Sequence, residues 1–68
     1  MSEFKVGDRV SVSSALYEIT HDTGTVTAIG DDFVATLFLV DLDSVPGIQG
    51  SSRPEPGIWF GPSEMEAL

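Results

Sequence analysis

Apolar and polar residues alternate in some stretches of this chain and not in others, and the contrast marks out its expected elements. Val10 and Val12 alternate with Arg9, Ser11 and Ser13 after a turn at Val6-Gly7-Asp8, so Phe4–Ser13 carries a first strand with one buried face. Two β-rich runs follow, Thr25–Ile29 and Phe33–Val40, joined by Gly30-Asp31-Asp32. Gly and Asp supply the positive φ of a tight turn, so this is a hairpin signal. The second run breaks the alternation. Val34, Phe38, Val40 and Leu42 point one way with Thr36, while Phe33, Ala35, Leu37 and Leu39 point the other. An antiparallel strand with one solvated face should alternate, so both sides need a cover. That cover is either the rest of a tightly curled barrel or a second subunit.

The remaining segments are less regular. Ser14–Thr23 reads as an irregular loop, with room for a short strand or a single helical turn. Asp43–Gly57 is packed with Gly, Pro and Ser and reads as one long connection, a length that in small domains is functional or disordered. Ile58-Trp59-Phe60 returns as a strand. Pro62 then sits at the first position of a helical turn, and Met65–Leu68 pairs with the first strand. Residues 1–68 are expected to form a single domain.

Composition narrows the function classes. With 68 residues and no cysteine, the chain has neither disulfides nor thiolate metal ligands, and domains this small gain stability by oligomerising or docking. No apolar run approaches the roughly 20 residues that span a bilayer. The start, Met-Ser-Glu-Phe-Lys, lacks a basic segment followed by an apolar core, so a cytoplasmic location is expected. Eleven acidic residues against three basic ones give a formal charge of -8. Lys5, Arg9 and Arg53 are too scattered to track a phosphate backbone, which argues against direct nucleic-acid binding.

The elements arrive in an order that resembles a small SH3-like barrel. Val6-Gly7-Asp8-Arg9-Val10, then Thr23-Gly24-Thr25-Val26, a long β run, Trp59-Phe60 and Pro62-Ser63-Glu64-Met65-Glu66 carry the likeness. The resemblance implies an all-β barrel of about five antiparallel strands, with a 3₁₀ turn before the last. Gly24 to Ile29 is similar to KOW-type modules, many of which bind RNA or ribosomes. The opening Gly7-Asp8-Arg9-Val10 also resembles the type II dihydrofolate reductases, tetramers with a central pore. Their pore segment reads Val-Gln-Ile-Tyr-Pro. Here the matching place is Ile58-Trp59-Phe60-Gly61-Pro62, so the fold carries over and the activity does not.

Candidate chemistry is sparse. His21 is the only histidine and lacks the partners of a general base or triad, so no catalytic residue and no cofactor are expected. Asp31-Asp32 and Asp41-x-Asp43 have the oxygen ligands of a hard cation. Turn chemistry and a strand end explain them better, and no metal site is expected. Arg53 is read as solvated opposite Glu55. The aromatic residues are the stronger signal. Trp59 and Phe60 point to opposite faces of a strand, and small SH3-like barrels use such rings, with a Tyr17 in the first long loop, as a peptide groove. For Trp59 core and contact weigh equally, and for Phe60 core weighs more. Trp59, Phe60 and Tyr17 are therefore the candidate partner-binding residues, with Leu37 and Leu39 as candidate contacts between subunits. The function expected is protein binding or self-association. An acidic mimic of nucleic acid, a KOW-like module and a reductase-like enzyme are the alternatives.

Overall fold

A computed structural model of the chain describes residues 4–31 and 35–68. It contains five strands: β1 (Arg9–Ser14), β2 (Ile19–Asp31), β3 (Thr36–Leu42), β4 (Ile58–Phe60) and β5 (Met65–Ala67). A 3₁₀ turn at Pro62–Glu64 precedes the last strand. The ladders between these strands are all antiparallel and the order is β4-β3-β2-β1-β5. The expected all-β class and the turn before the last strand are both present. The sheet is open, however, because among the described residues no ladder joins β4 to β5.

β2 is the element that departs most from expectation. It starts at Ile19 rather than Thr25, so the segment expected to be irregular contains only a four-residue turn before the strand. Glu18 makes this turn possible by adopting φ +57°, and its N–H bonds the Ala15 carbonyl at 3.3 Å. The β-branched Ile19, Thr20 and Thr23 then suit an extended backbone. Phe33 and Val34, expected to open the third strand, lie outside the described residues. β3 is assigned from Thr36.

One face of the sheet holds the core. Val10 and Val12 of β1, Val26 of β2, Phe38, Val40 and Leu42 of β3, Phe60 of β4 and Met65 of β5 are buried there, and Phe4 closes it. The Phe4 ring meets the Phe38 ring edge-on, with centroids 5.3 Å apart and planes at 81°. Removing a buried Phe ring costs about 3–5 kcal/mol. A chain of this size has a total stability of roughly 3–10 kcal/mol, so this cluster decides whether it folds.

The opposite face of β3 is covered as well. A bulge at Thr27 shifts the β2–β3 register, so that Val26 pairs with Val40 and Ala28 with Leu39. Ala28 and Leu39 form a second buried patch outside the main core cluster. Trp59 pairs with Leu39 from the other side. The end of the 43–57 connection passes next to them, where the Thr27 hydroxyl donates to the Pro56 carbonyl at 2.6 Å. Within one chain, then, the cover for Leu39 comes from β4 and the long connection. That connection is pinned by backbone bonds from Gly57 N–H to Ile48 O (2.7 Å) and from Gly50 N–H to Gly57 O (3.0 Å).

Candidate interaction surface

The position of Trp59 follows from the β3–β4 register. Phe38 pairs with Phe60 and Leu39 with Trp59, so Phe60 turns into the core and Trp59 onto the outer face. Phe60 is 1% exposed, whereas Trp59 is half-buried. The indole lies over Gly30, the outer-face residue that pairs with Leu37. A Cβ at position 30 would come 3.0 Å from the indole Cη2 and 3.2 Å from Cζ3, so glycine lets the ring settle against the β2 backbone. Gly30, Asp31, Leu37 and Trp59 together line a shallow recess of about 180 Å³. The Asp31 carboxylate accepts a bond from the Thr36 hydroxyl at 2.7 Å; these two residues form the next pair of the ladder, whose side chains alternate to the opposite face from Gly30 and Leu37.

The structure separates the three candidate aromatic residues. Tyr17 meets Phe60 edge-on, with centroids 5.7 Å apart and planes at 72°, so it lies on the Phe60 side rather than with Trp59. It is 43% exposed, and its neighbour Leu16 is 81% exposed. Leu37 is half-buried at the recess, and Leu39 has no exposed surface. Gly30 and Asp31 line the recess from the end of a strand, although their residue types signalled a turn. Val26 and Ile29, both on the core side yet three residues apart, were the visible sign that β2 changes phase before Gly30.

Charged groups elsewhere serve local structure. Arg9 makes a two-pronged bond to Asp43, with Nη1 to Oδ1 at 3.0 Å and Nη2 to Oδ2 at 2.5 Å, and also donates to the Thr25 hydroxyl. Thr23 donates to the same carboxylate at 2.6 Å. The Arg9 bonds, followed by the Thr23 bond, lower the Asp43 pKa to about 2, and Asp43 in turn raises that of Arg9. Ser44 donates to Asp22, and the Gly47 N–H donates to Asp41 at 2.9 Å, so both ends of this turn are tied down. Arg53 pairs with Glu55 at 3.1 Å and lowers its pKa. His21 lines a separate polar cleft with Ser11, Ser13, Glu64 and Glu66. Among the described residues, no group of three His, Cys, Asp or Glu side chains is placed to hold a metal ion. None of their helices is long and apolar enough to cross a membrane.

Comparison of the chain with protein-family models, with curated proteins and with solved structures finds no match.

Proposed function

We propose that this chain is a small acidic protein-interaction module of SH3-like build, acting in the cytoplasm. It would bind a protein partner, or a second copy of itself, through the outer-face surface around Trp59. The strand order β4-β3-β2-β1-β5 and the 3₁₀ turn before β5 support the SH3-like assignment. One observation carries the functional part. The largest aromatic side chain stands outside the core, over a glycine and beside Leu37, where it lines a recess. Trp is among the side chains most enriched in binding hot spots.

A protein partner is favoured over nucleic acid. Arg9 is held by Asp43 and Arg53 by Glu55, so two of the three cations are already neutralised within the chain. No catalytic step and no cofactor belong to this reading.

The test has two stages. Light scattering at two concentrations first separates a 7.2 kDa monomer from a self-associated species, which Leu37→Glu should dissociate. If the chain is monomeric, a photo-crosslinking residue at position 37 should capture a partner. The same residue at position 13, across the sheet on β1, should not, and Trp59→Leu should abolish the capture. The reading fails if the protein is monomeric and position 37 cross-links no more specifically than position 13.

A further inference from the structure

We infer that the polar cleft beside His21 binds an alkylammonium group, the chemistry of a lysine side chain or of a free polyamine. The cleft lies at the other end of β2 from Gly30 and is independent of the Trp59 surface. A second irregularity of β2 builds it. Val12 pairs with Asp22 but Ser14 with Ile19, so Thr20 and His21 together face the single Ser13. Ile19 packs on the core and Asp22 pairs with core-facing Val12, which leaves Thr20 and His21 side by side on the outer face. On the other flank of β1, Glu66 pairs with Ser11 and shares that face. Ser63 and Glu64 of the 3₁₀ turn complete a cleft of about 190 Å³.

The lining decides the ligand. Carboxylates only accept hydrogen bonds, and hydroxyls and an imidazole can accept them as well. No side chain restricted to donating lines the cleft. A ligand end that donates, accepts nothing and carries positive charge is the complement, and an ammonium group is such an end. These acceptors are also unspent. The carboxylates of Asp22, Asp31, Asp41 and Asp43 accept bonds from the chain itself. Among the described residues, the side chains of Ser11, Ser13, His21 and Glu66 make none. Glu64 accepts the Gly61 N–H on Oε1 at 3.1 Å, which fixes its carboxylate and leaves Oε2 for a ligand. His21, Glu64 and Glu66 are not placed to hold a metal ion together.

The probes are cadaverine and a capped Gly-Lys-Gly peptide, with an acetyl-lysine twin that lacks the charge. Binding is read by NMR from the amides of Ser13 and Glu66 and from the ring of His21, the only histidine. Both amines should shift these signals at millimolar concentration and leave Gly30 and Leu37 unmoved. Glu66→Gln should weaken binding about two- to five-fold, the range of an exposed ion pair. Asp31→Asn removes the same charge from the far end of β2 and should have a smaller effect. Tighter binding of the peptide would support a protein lysine as the occupant, and tighter binding of cadaverine a free polyamine.

Equal losses in Glu66→Gln and Asp31→Asn would overturn the inference, because the attraction would then be to diffuse charge. Equal affinity of the acetylated twin would overturn it too. So would the absence of shifts at His21 and Glu66 with both amines at millimolar concentration. None of these results touches the Trp59 surface, which the cross-links from position 37 decide separately.

Discussion

Replacing Gly57 with alanine tests how the long connection is seated on the sheet. Gly57 has φ +130°, and a Cβ there would lie 2.5 Å from the Val40 carbonyl oxygen, 2.6 Å from the Val40 carbonyl carbon and 3.0 Å from the Asp41 nitrogen. All three are backbone atoms of β3, which is hydrogen-bonded on both sides and cannot yield as a side chain can. A non-glycine residue in this backbone region costs about 1–3 kcal/mol. The overlap adds about 1–3 kcal/mol if overpacking in a core is the guide. The sum of about 2–6 kcal/mol is comparable with the roughly 3–10 kcal/mol expected for a chain of this length. Gly47→Ala is the control. Gly47 has φ +78° but nothing within 4 Å of its Cβ position, so only the backbone part applies. Urea unfolding followed by Trp59 emission gives both values. Gly57→Ala should be the more costly by about 1–3 kcal/mol, and light scattering should show it associating as Leu39 loses its cover. A difference under about 0.5 kcal/mol, the scatter of ordinary surface substitutions, would refute this packing of Gly57 against β3.

Two further predictions concern the ends of β2 and the polar clamp. Asp43 has its pKa lowered to about 2 by Arg9 and Thr23, so its contribution to stability is full above the ordinary carboxylate value and is lost as pH falls toward 2. The urea midpoint should therefore drop across that window, and Asp43→Asn should make the drop shallower; an unchanged pH profile in the variant would show that the clamp does not form in solution. Glu18 holds φ +57° without being glycine, so Glu18→Gly should stabilise the chain by about 0.5–1 kcal/mol once the greater freedom of unfolded glycine is offset. A loss of stability in urea would mean that the turn is not strained at that residue.

What could be read from the residues alone was whatever local chemistry decides. The alternation of Val10 and Val12, the placing of Pro62 at a first helical position and the opposed faces of Trp59 and Phe60 needed no knowledge of distant partners. The start of β2 was hidden because the turn before it uses Glu18, whose type does not announce a left-handed backbone. The doubly apolar pattern of β3 correctly demanded two covers. It could not say that Trp59 and the Pro56 end of the connection lie along the second face, since a Gly/Pro/Ser-rich segment held by backbone bonds leaves no apolar signature. The partition of the aromatics was hidden for a similar reason. Tyr17 reaches Phe60 because the β1–β2 turn is short, and that shortness depends on Glu18.

The bulge at Thr27 changes the reading frame of β2. Just before it Val26 faces the core; after it, Ile29 faces the core and Gly30 faces outward. The indole thus has a glycine beneath it only because one residue is looped out of the ladder. Drawing Thr27 into the ladder would leave every side chain from 28 to 31 chemically unchanged. It would also turn Ile29 outward beneath the ring and send Gly30 inward, where it would fill nothing. The identity of the recess is therefore carried by the bulged backbone as much as by the residues that line it, and a relative of this chain that paired residue 27 in the ladder could keep all four lining residue types and still lack the surface.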